Sequence, residues 1–256
     1  MFELKDKSAV VLGASSQGGI GEAIARIFAA QGAKVIVSGR KMAPLKSLAK
    51  DIGGTAQSCD VTSESDIEAL FAKSTKINGK VDIAVNAAGI NSPVPISALT
   101  QESLQLMSDV QFIGPTLFIK QAAAAMPDGG SIISLSSVTA ELTGPNLGAY
   151  AATKAAVDKI VRVAAVEYGP QGIRVNSLSP SLTETPMTEK IFQTASMIKA
   201  FKKETPLGRM VTPEDVAFAA LYLASERCVA TGDNIRVSGG AHLRRLPTYA
   251  EMMSDG

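Results

Sequence analysis

The amino-acid sequence predicts an α/β fold: a doubly wound, seven-stranded parallel sheet in a single domain. Short β-rich runs alternate with amphipathic segments from end to end, and several of the runs are almost wholly apolar. Strands buried on both faces read in that way, and strand–helix alternation implies parallel pairing through right-handed crossovers. No linker rich in Pro, Gly or Ser and no shift of composition divides the chain, so residues 1–256 read as one domain.

The first strand is SAVVL at residues 8–12. After it Ile20, Ala23, Ile24, Ile27 and Phe28 recur at i, i+3, i+4, i+7 and i+8, one apolar stripe on a helix. KVIVS (34–38) precedes a helix from Leu45 to Ile52, and the weaker TAQSC (55–59) precedes one from Ser65 to Ile77. VDIAV (81–85) leads into a long helical pattern from Leu104 to Met126, and SIISL (131–135) into one from Ala149 to Tyr168. IRVNSL (173–178) and NIRV (234–237) complete the strands. Between these two lies a helix from Pro213 to Leu223, whose Pro213, Glu214 and Asp215 suit a helix N-terminus. In such sheets ligands bind outside the carboxyl ends of the strands, which points to the segments after residues 12, 38, 85, 135 and 178.

Composition narrows the function. At 46% hydrophobic and 19% charged residues the chain is a folding, not a disordered, sequence. Its net charge of +1 offers nothing to nucleic acid or to an acidic membrane surface. Cys59 and Cys228 stand far apart and His242 is the sole histidine, so a disulfide framework, a metal centre and a histidine-based triad are all disfavoured. The start MFELKDKSAV is too charged for a signal peptide, and no apolar run approaches the ~20 residues of a membrane span. The expectation is a cytoplasmic protein acting on a small molecule.

Gly13-Ala-Ser15-Ser16-Gln-Gly-Gly19-Ile20-Gly21 joins the first strand to the first helix. Glycines there let backbone N–H groups approach a pyrophosphate, and the helix N-terminus adds partial positive charge. The second strand ends Ser38-Gly39-Arg40. A ribose 2′-hydroxyl calls for an acid at this place and a 2′-phosphate for a cation, so Arg40 favours NADP(H) over NAD(H).

Tyr150 and Lys154 are four apart on a helix and so share a face. They follow Ser136-Ser137 at the end of a strand, Ser137 lying thirteen residues before Tyr150. With the loop at 13–21, Asp60-Val61 and Asn86-Ala-Ala-Gly89, this constellation resembles the short-chain dehydrogenase/reductase family from about residue 5 to about 240, especially its 3-oxoacyl-carrier-protein-reductase-like members. The resemblance implies a Rossmann-type fold and an oxidoreductase, dependent on NAD(P), that interconverts a carbonyl and a secondary alcohol. It implies Tyr150 as acid/base, Lys154 as the cation that favours the phenolate and holds the nicotinamide ribose, and Ser137 as hydrogen-bond donor to the substrate oxygen. Gly13, Gly19 and Gly21 would line the pyrophosphate with Ile20 packed beneath it, Asp60 and Val61 would contact the adenine, and Asn86 with Gly89 would lie beside the adenosine ribose. Thr183 and Thr185 would face the nicotinamide.

The chain departs from the family mildly at Asn86-Ala87-Ala88-Gly89, where N-N-A-G is usual, and more markedly in three places. The glycine loop is two residues longer and has Leu12 for threonine, so Ser15 or Ser16 is expected to reach the 2′-phosphate. Gln111 stands where the family has an Asn whose backbone carbonyl serves a proton relay. Pro115 cannot donate to the carbonyl four residues back, which is that of Gln111, so the carbonyl is expected to stay free. Ser181 replaces a glycine beside the nicotinamide. Residues 186–205, with Met187, Ile191, Phe192, Met197, Ile198 and Phe201, match the family's substrate lid, and 241–256 form a C-terminal tail. The resemblance also implies a homodimer or homotetramer through the long helices. Carrier-bound acyl reduction and a non-catalytic, NADP(H)-binding regulator are the competing readings; Gln121 and the alanines after it lack the cations an acidic carrier would seek.

Overall fold

In the computed structural model, which describes residues 3–253, seven strands make one parallel sheet in the order β3-β2-β1-β4-β5-β6-β7. Residues 1, 2 and 254–256 of the expected domain and tail lie outside the described residues. The strands are β1 (Ser8–Leu12), β2 (Lys34–Gly39), β3 (Thr55–Ser58), β4 (Ile83–Asn86), β5 (Gly130–Leu135), β6 (Ile173–Pro180) and β7 (Asn234–Val237). The helices between the first strands are α1 (Ile20–Ala30), α2 (Met42–Ile52) and α3 (Glu64–Asn78). After β4 come α4 (Gln101–Ser108) and α5 (Gly114–Ala124), and α6 (Gly148–Tyr168) follows β5. The rest are α7 (Glu189–Phe192), α8 (Ala195–Lys203), α9 (Pro213–Ala224) and α10 (Tyr249–Met253).

Alternation along β1 divides the core in two. Ala9 and Val11 face α1, α2 and α9, packing with Ile24, Phe28, Leu45, Val216 and Leu221. Val10 and Leu12 face the opposite layer, with Ile67, Phe71, Phe118, Val157 and Val161. Both layers are buried, which is why the strand reads as an unbroken apolar run. Phe71 and Phe118 meet edge to face, ring centroids 5.0 Å apart.

Helix entrances follow the local chemistry. Ser63 caps α3 by accepting from Asp66 N. Thr212 and Asp215 form a reciprocal capping box at α9, with Pro213 in its first turn.

The helix expected from Leu104 to Met126 is not continuous. A π-helical turn, Asp109–Ile113, separates α4 from α5. Pro115 has no N–H for the Gln111 carbonyl, and the chain widens there so that Gly114 N bonds Asp109 O, five residues back.

The sheet order reverses between β1 and β4, whose ends pair as Leu12 with Asn86. A crevice opens at such a point, and the candidate site lies there.

Candidate active site

The glycine loop is shaped by backbone-to-backbone contact. Gly13 has φ +92°, and a Cβ on it would lie 2.4 Å from the Ala87 carbonyl carbon. A Cβ on Gly21 would lie 2.5 Å from Gly13 O, so α1 starts flush against the end of β1. Both Gly13 N and Ala14 N donate to Ser38 O, tying the loop to β2. The two extra residues turn outward: Gly19 N bonds Ser16 O, and Gly18 N donates to Glu22 Oε2 at 2.7 Å. The cleft is lined by Gly13, Ser15, Ser16, Gly19, Ile20 and Gly21 and not by Gln17 or Gly18, so the longer loop leaves it open.

The far wall of the cleft holds Arg40, Asp60 and Val61. Arg40 is exposed on the rim. A Cβ on Gly39 would come within 2.9 Å of Ser15 Oγ, so the glycine lets Ser15 and the end of β2 close together. Asp60 Oδ1 accepts from Thr62 N and Thr62 Oγ1. The Thr62 bonds, aided by Arg40, hold its carboxyl below the usual range. Cys59 also lines the cleft, its thiol pushed up to about 12 by burial.

Ser137, Tyr150 and Lys154 converge beyond the end of β5. Ser137 is buried, and its Oγ accepts from Thr139 N at 3.2 Å and from Thr139 Oγ1 at 2.9 Å. Those bonds occupy its lone pairs, leaving its own O–H as the donor toward Tyr150. Lys154 is 5% exposed; its Nζ donates to Leu135 O at 2.7 Å and stands 5.7 Å from the Tyr150 ring centroid. Burial lowers the ammonium to about 8, opposed by Asp158 one helical turn along. Burial likewise pushes the Tyr150 phenol above its ordinary value, opposed by the Ser137 hydroxyl. The spacing alone predicts a phenol lowered by Lys154; here burial instead raises it, because the phenol is withdrawn from water.

The remaining residues divide. Gly89 lines the cleft, and a Cβ on it would lie 3.2 Å from Gln111 Oε1 and 3.8 Å from Lys154 Nζ. The structure therefore brings Gly89, Gln111 and Lys154 together where the cleft meets the Ser137–Tyr150 pair. Gln111 is buried: its Nε2 donates to Met107 Sδ and Thr153 Oγ1, and its Oε1 has no hydrogen-bond partner among the described residues. Asn86 is not in the cleft wall; its Oδ1 takes Ala88 N and so shapes the turn that carries Gly89. Thr185 lines the cleft, whereas Thr183 is buried, bonds Ser181 O, and gives its carbonyl to Thr188 Oγ1.

A smaller recess beside Val138 is lined by Leu142, Leu182, Phe201, Arg245 and Leu246. Phe201 comes from α8, and α10 packs on α8. Arg245 bonds both Glu204 and Glu251, fastening the tail to the 186–205 segment. Sequence reasoning did not find Leu246, Arg245, Cys59 or Asp158. Only Asp158 carried a signal, an acid at i+4 on the face of Lys154.

A family model described as enoyl-(acyl carrier protein) reductase matches residues 13–242. The chain is 38% identical over 245 residues to a mitochondrial borneol dehydrogenase of Lavandula x intermedia, covering 94% of this chain and 92% of the relative. It is 35% identical over 252 residues to 3beta-hydroxysteroid dehydrogenase 1 of Eggerthella lenta, covering 94% and 95%. The structure of a short-chain type dehydrogenase/reductase from Mycobacterium ulcerans superposes with a TM-score of 0.93 at 32% identity, over 98% of this chain and 95% of that one.

Proposed function

The chain belongs to the short-chain dehydrogenase/reductase family, as an oxidoreductase acting on CH–OH groups, and we propose that it is an NADP(H)-dependent enzyme interconverting a ketone and a secondary alcohol. One observation carries the reading. A single cleft holds the glycine loop and Arg40, and through Gly89 it reaches Lys154, the neighbour of Tyr150 and Ser137.

The residues fit a dinucleotide. At Gly13 and Gly21 a side chain would strike backbone, so the N-terminus of α1 presents bare N–H groups to a pyrophosphate. Ser15, Ser16 and the exposed Arg40 suit a phosphate on the ribose, and Asp60 with Val61 suit the adenine. Thr185 and Lys154 would hold the nicotinamide end, with Thr183 and Asn86 acting through the backbone they shape. When bound, the nicotinamide supplies or takes up the hydride.

The chain's own part is the proton. A phenol above its ordinary pKa keeps its proton at neutral pH, the state in which Tyr150 can give it to a carbonyl oxygen. Ser137 donates to that same oxygen as charge develops on it. Lys154 stabilises the phenolate left behind, and the Gln111 segment lies beside Lys154 as the route by which a proton returns. The apolar recess of Leu142, Leu182, Phe201 and Leu246 suits a hydrocarbon ring, in line with the borneol and steroid named for two relatives. Residues 186–205 act as the lid. Docking of an acidic acyl carrier is less well supported, because Lys120, the nearest cation to Gln121 on α5, is already paired with Glu64. Exposed Leu104, Val163 and Val166 on α4 and α6 support a homodimer or homotetramer, which we place in the cytoplasm.

The test is fluorescence titration with NADPH and NADH, followed by turnover with cyclic secondary alcohols and ketones. NADPH should bind more tightly, and Tyr150→Phe should keep that binding while losing turnover by roughly 10²–10⁴-fold. Preference for NADH would remove the role given to Arg40. Binding without turnover on any substrate would favour the non-catalytic regulator.

A further inference from the structure

Behind Lys154 lies a buried carboxylate that the reaction itself does not call on. Asp158 is one turn farther along α6 and 7% exposed. Its Oδ1 accepts from Ser177 Oγ at 2.7 Å, on β6, and its Oδ2 from Asn234 Nδ2 at 2.6 Å, on β7. Ser136, just after β5, donates to Lys154 O at 3.4 Å and stands close enough to help hold the Asp158 carboxyl down. Two strands, β6 and β7, thus clamp one carboxylate beneath the helix that carries Tyr150 and Lys154.

We propose that Asp158 is a positioning residue for the reaction: fixed by Ser177 and Asn234 one turn along α6, its buried negative charge keeps the Lys154 ammonium charged. The proposal rests on the reading of Lys154 given above. Burying an ammonium favours its neutral form, and the lone Leu135 carbonyl is a weak counterweight. A fixed carboxylate one helical turn away opposes that loss without touching Nζ and so without competing for its hydrogen bonds.

The charged and titratable groups around the pair are few. On α6 they are Tyr150, Lys154 and Arg162, and Arg162 acts on Asp158. From β7 comes Arg236, which Glu141 already pairs. Burial raises Asp158, while Ser177, Asn234, the nearby Ser136 and Arg162 hold it down.

A staple that joins α6 to the sheet would use the same hydrogen bonds, so the test must read charge. Protein labelled with lysine carrying ¹³C at Cε is titrated by NMR, the Lys154 signal being assigned by its loss in Lys154→Met. The wild-type midpoint is expected near pH 8. Asp158→Asn keeps the shape, and Asn234 can turn its unpartnered Oδ1 toward the new amide. This variant should move the midpoint down by on the order of one pH unit. Ser177→Ala removes part of the staple but leaves the charge, and should lower Tm without moving the midpoint. Coincident curves for wild type and Asp158→Asn, or equal shifts in both variants, overturn the proposal. If Asp158→Asn does not fold, the wild-type Lys154 signal must itself shift as Asp158 takes up a proton in acid, and its failure to do so overturns the proposal equally. Full turnover by Lys154→Met is a separate outcome: it would remove the catalytic reading and leave the charge coupling standing.

Discussion

Replacing Lys154 with Met should make the protein more stable and inactive at once. The ammonium is 5% exposed and its pKa falls from 10.5 to about 8, so keeping it charged inside the fold costs about 3 kcal/mol at neutral pH. Methionine keeps most of the volume but gives up the bond to Leu135 O, worth about 1 kcal/mol. The net gain is about 2 kcal/mol, or roughly 4–8 °C in Tm for a chain of this size. The pH dependence follows from the direction of the shift. Below pH 8 both folded and unfolded chains hold the proton and the whole penalty applies. Between about 8 and 10.5 only the unfolded chain holds it, so wild-type stability rises with pH and the advantage of the variant fades. Urea unfolding at pH 7 and pH 10, at one fixed protein concentration, reads both points. A variant less stable than wild type at pH 7, or a gap that stays constant with pH, would refute the reasoning.

Arg40→Ala should weaken NADPH binding by roughly tenfold or more and leave NADH almost unchanged, as loss of a charge-assisted hydrogen bond implies; equal losses for both nucleotides would show that Arg40 does not read the phosphate. Pro115→Ala should lower turnover more than Gln111→Asn, because an alanine N–H would engage the Gln111 carbonyl; equally negligible effects would exclude that carbonyl from the relay. Asp215 caps α9 and pairs with Arg209, which together hold its carboxyl down to about 2. Its stabilisation is therefore present above pH 3.8 and lost as pH falls toward about 2, so the deficit of Asp215→Ala, about 1 kcal/mol at pH 7 by urea unfolding, should shrink by pH 3. A deficit independent of pH would assign the effect to packing.

The sheet was legible because its strands are buried on both faces: β1, β2, β4, β5 and β6 read as apolar runs at the places where they form. Even the weak β3 was found, its Thr55 and Ala56 pairing with Ile36 and Val37. The glycine loop and the Tyr150–Lys154 face were legible through backbone and helix geometry, both local in sequence. What escaped depended on distance along the chain. The clamp on Asp158 needs Ser177 and Asn234, 19 and 76 residues away, and the recess needs Leu246 to meet Leu142. The raised phenol of Tyr150 escaped for another reason: spacing reports the attraction of Lys154 but not how much water folding removes. The π turn at Asp109–Ile113 lay between, since Pro115 announced a missing donor but not how the helix would answer it.

The strand order carries a consequence for how the chain is assembled as it is made. β1 is synthesised first and ends in the middle of the sheet, with β2 and β3 laid outward on one side and β4 to β7 on the other. Each strand therefore pairs with one that already exists, and none waits for a partner yet to be translated. The nucleotide end of the crevice is complete once β4 docks, while Leu246 emerges roughly 160 residues after Asn86. At ~5–20 residues per second, this delay is about 8–32 s. On the proposed assignment of the cleft, the growing polypeptide would have a place for a nucleotide well before its wall at Leu246, and a nucleotide captured in that interval would act as a template on which the later strands close.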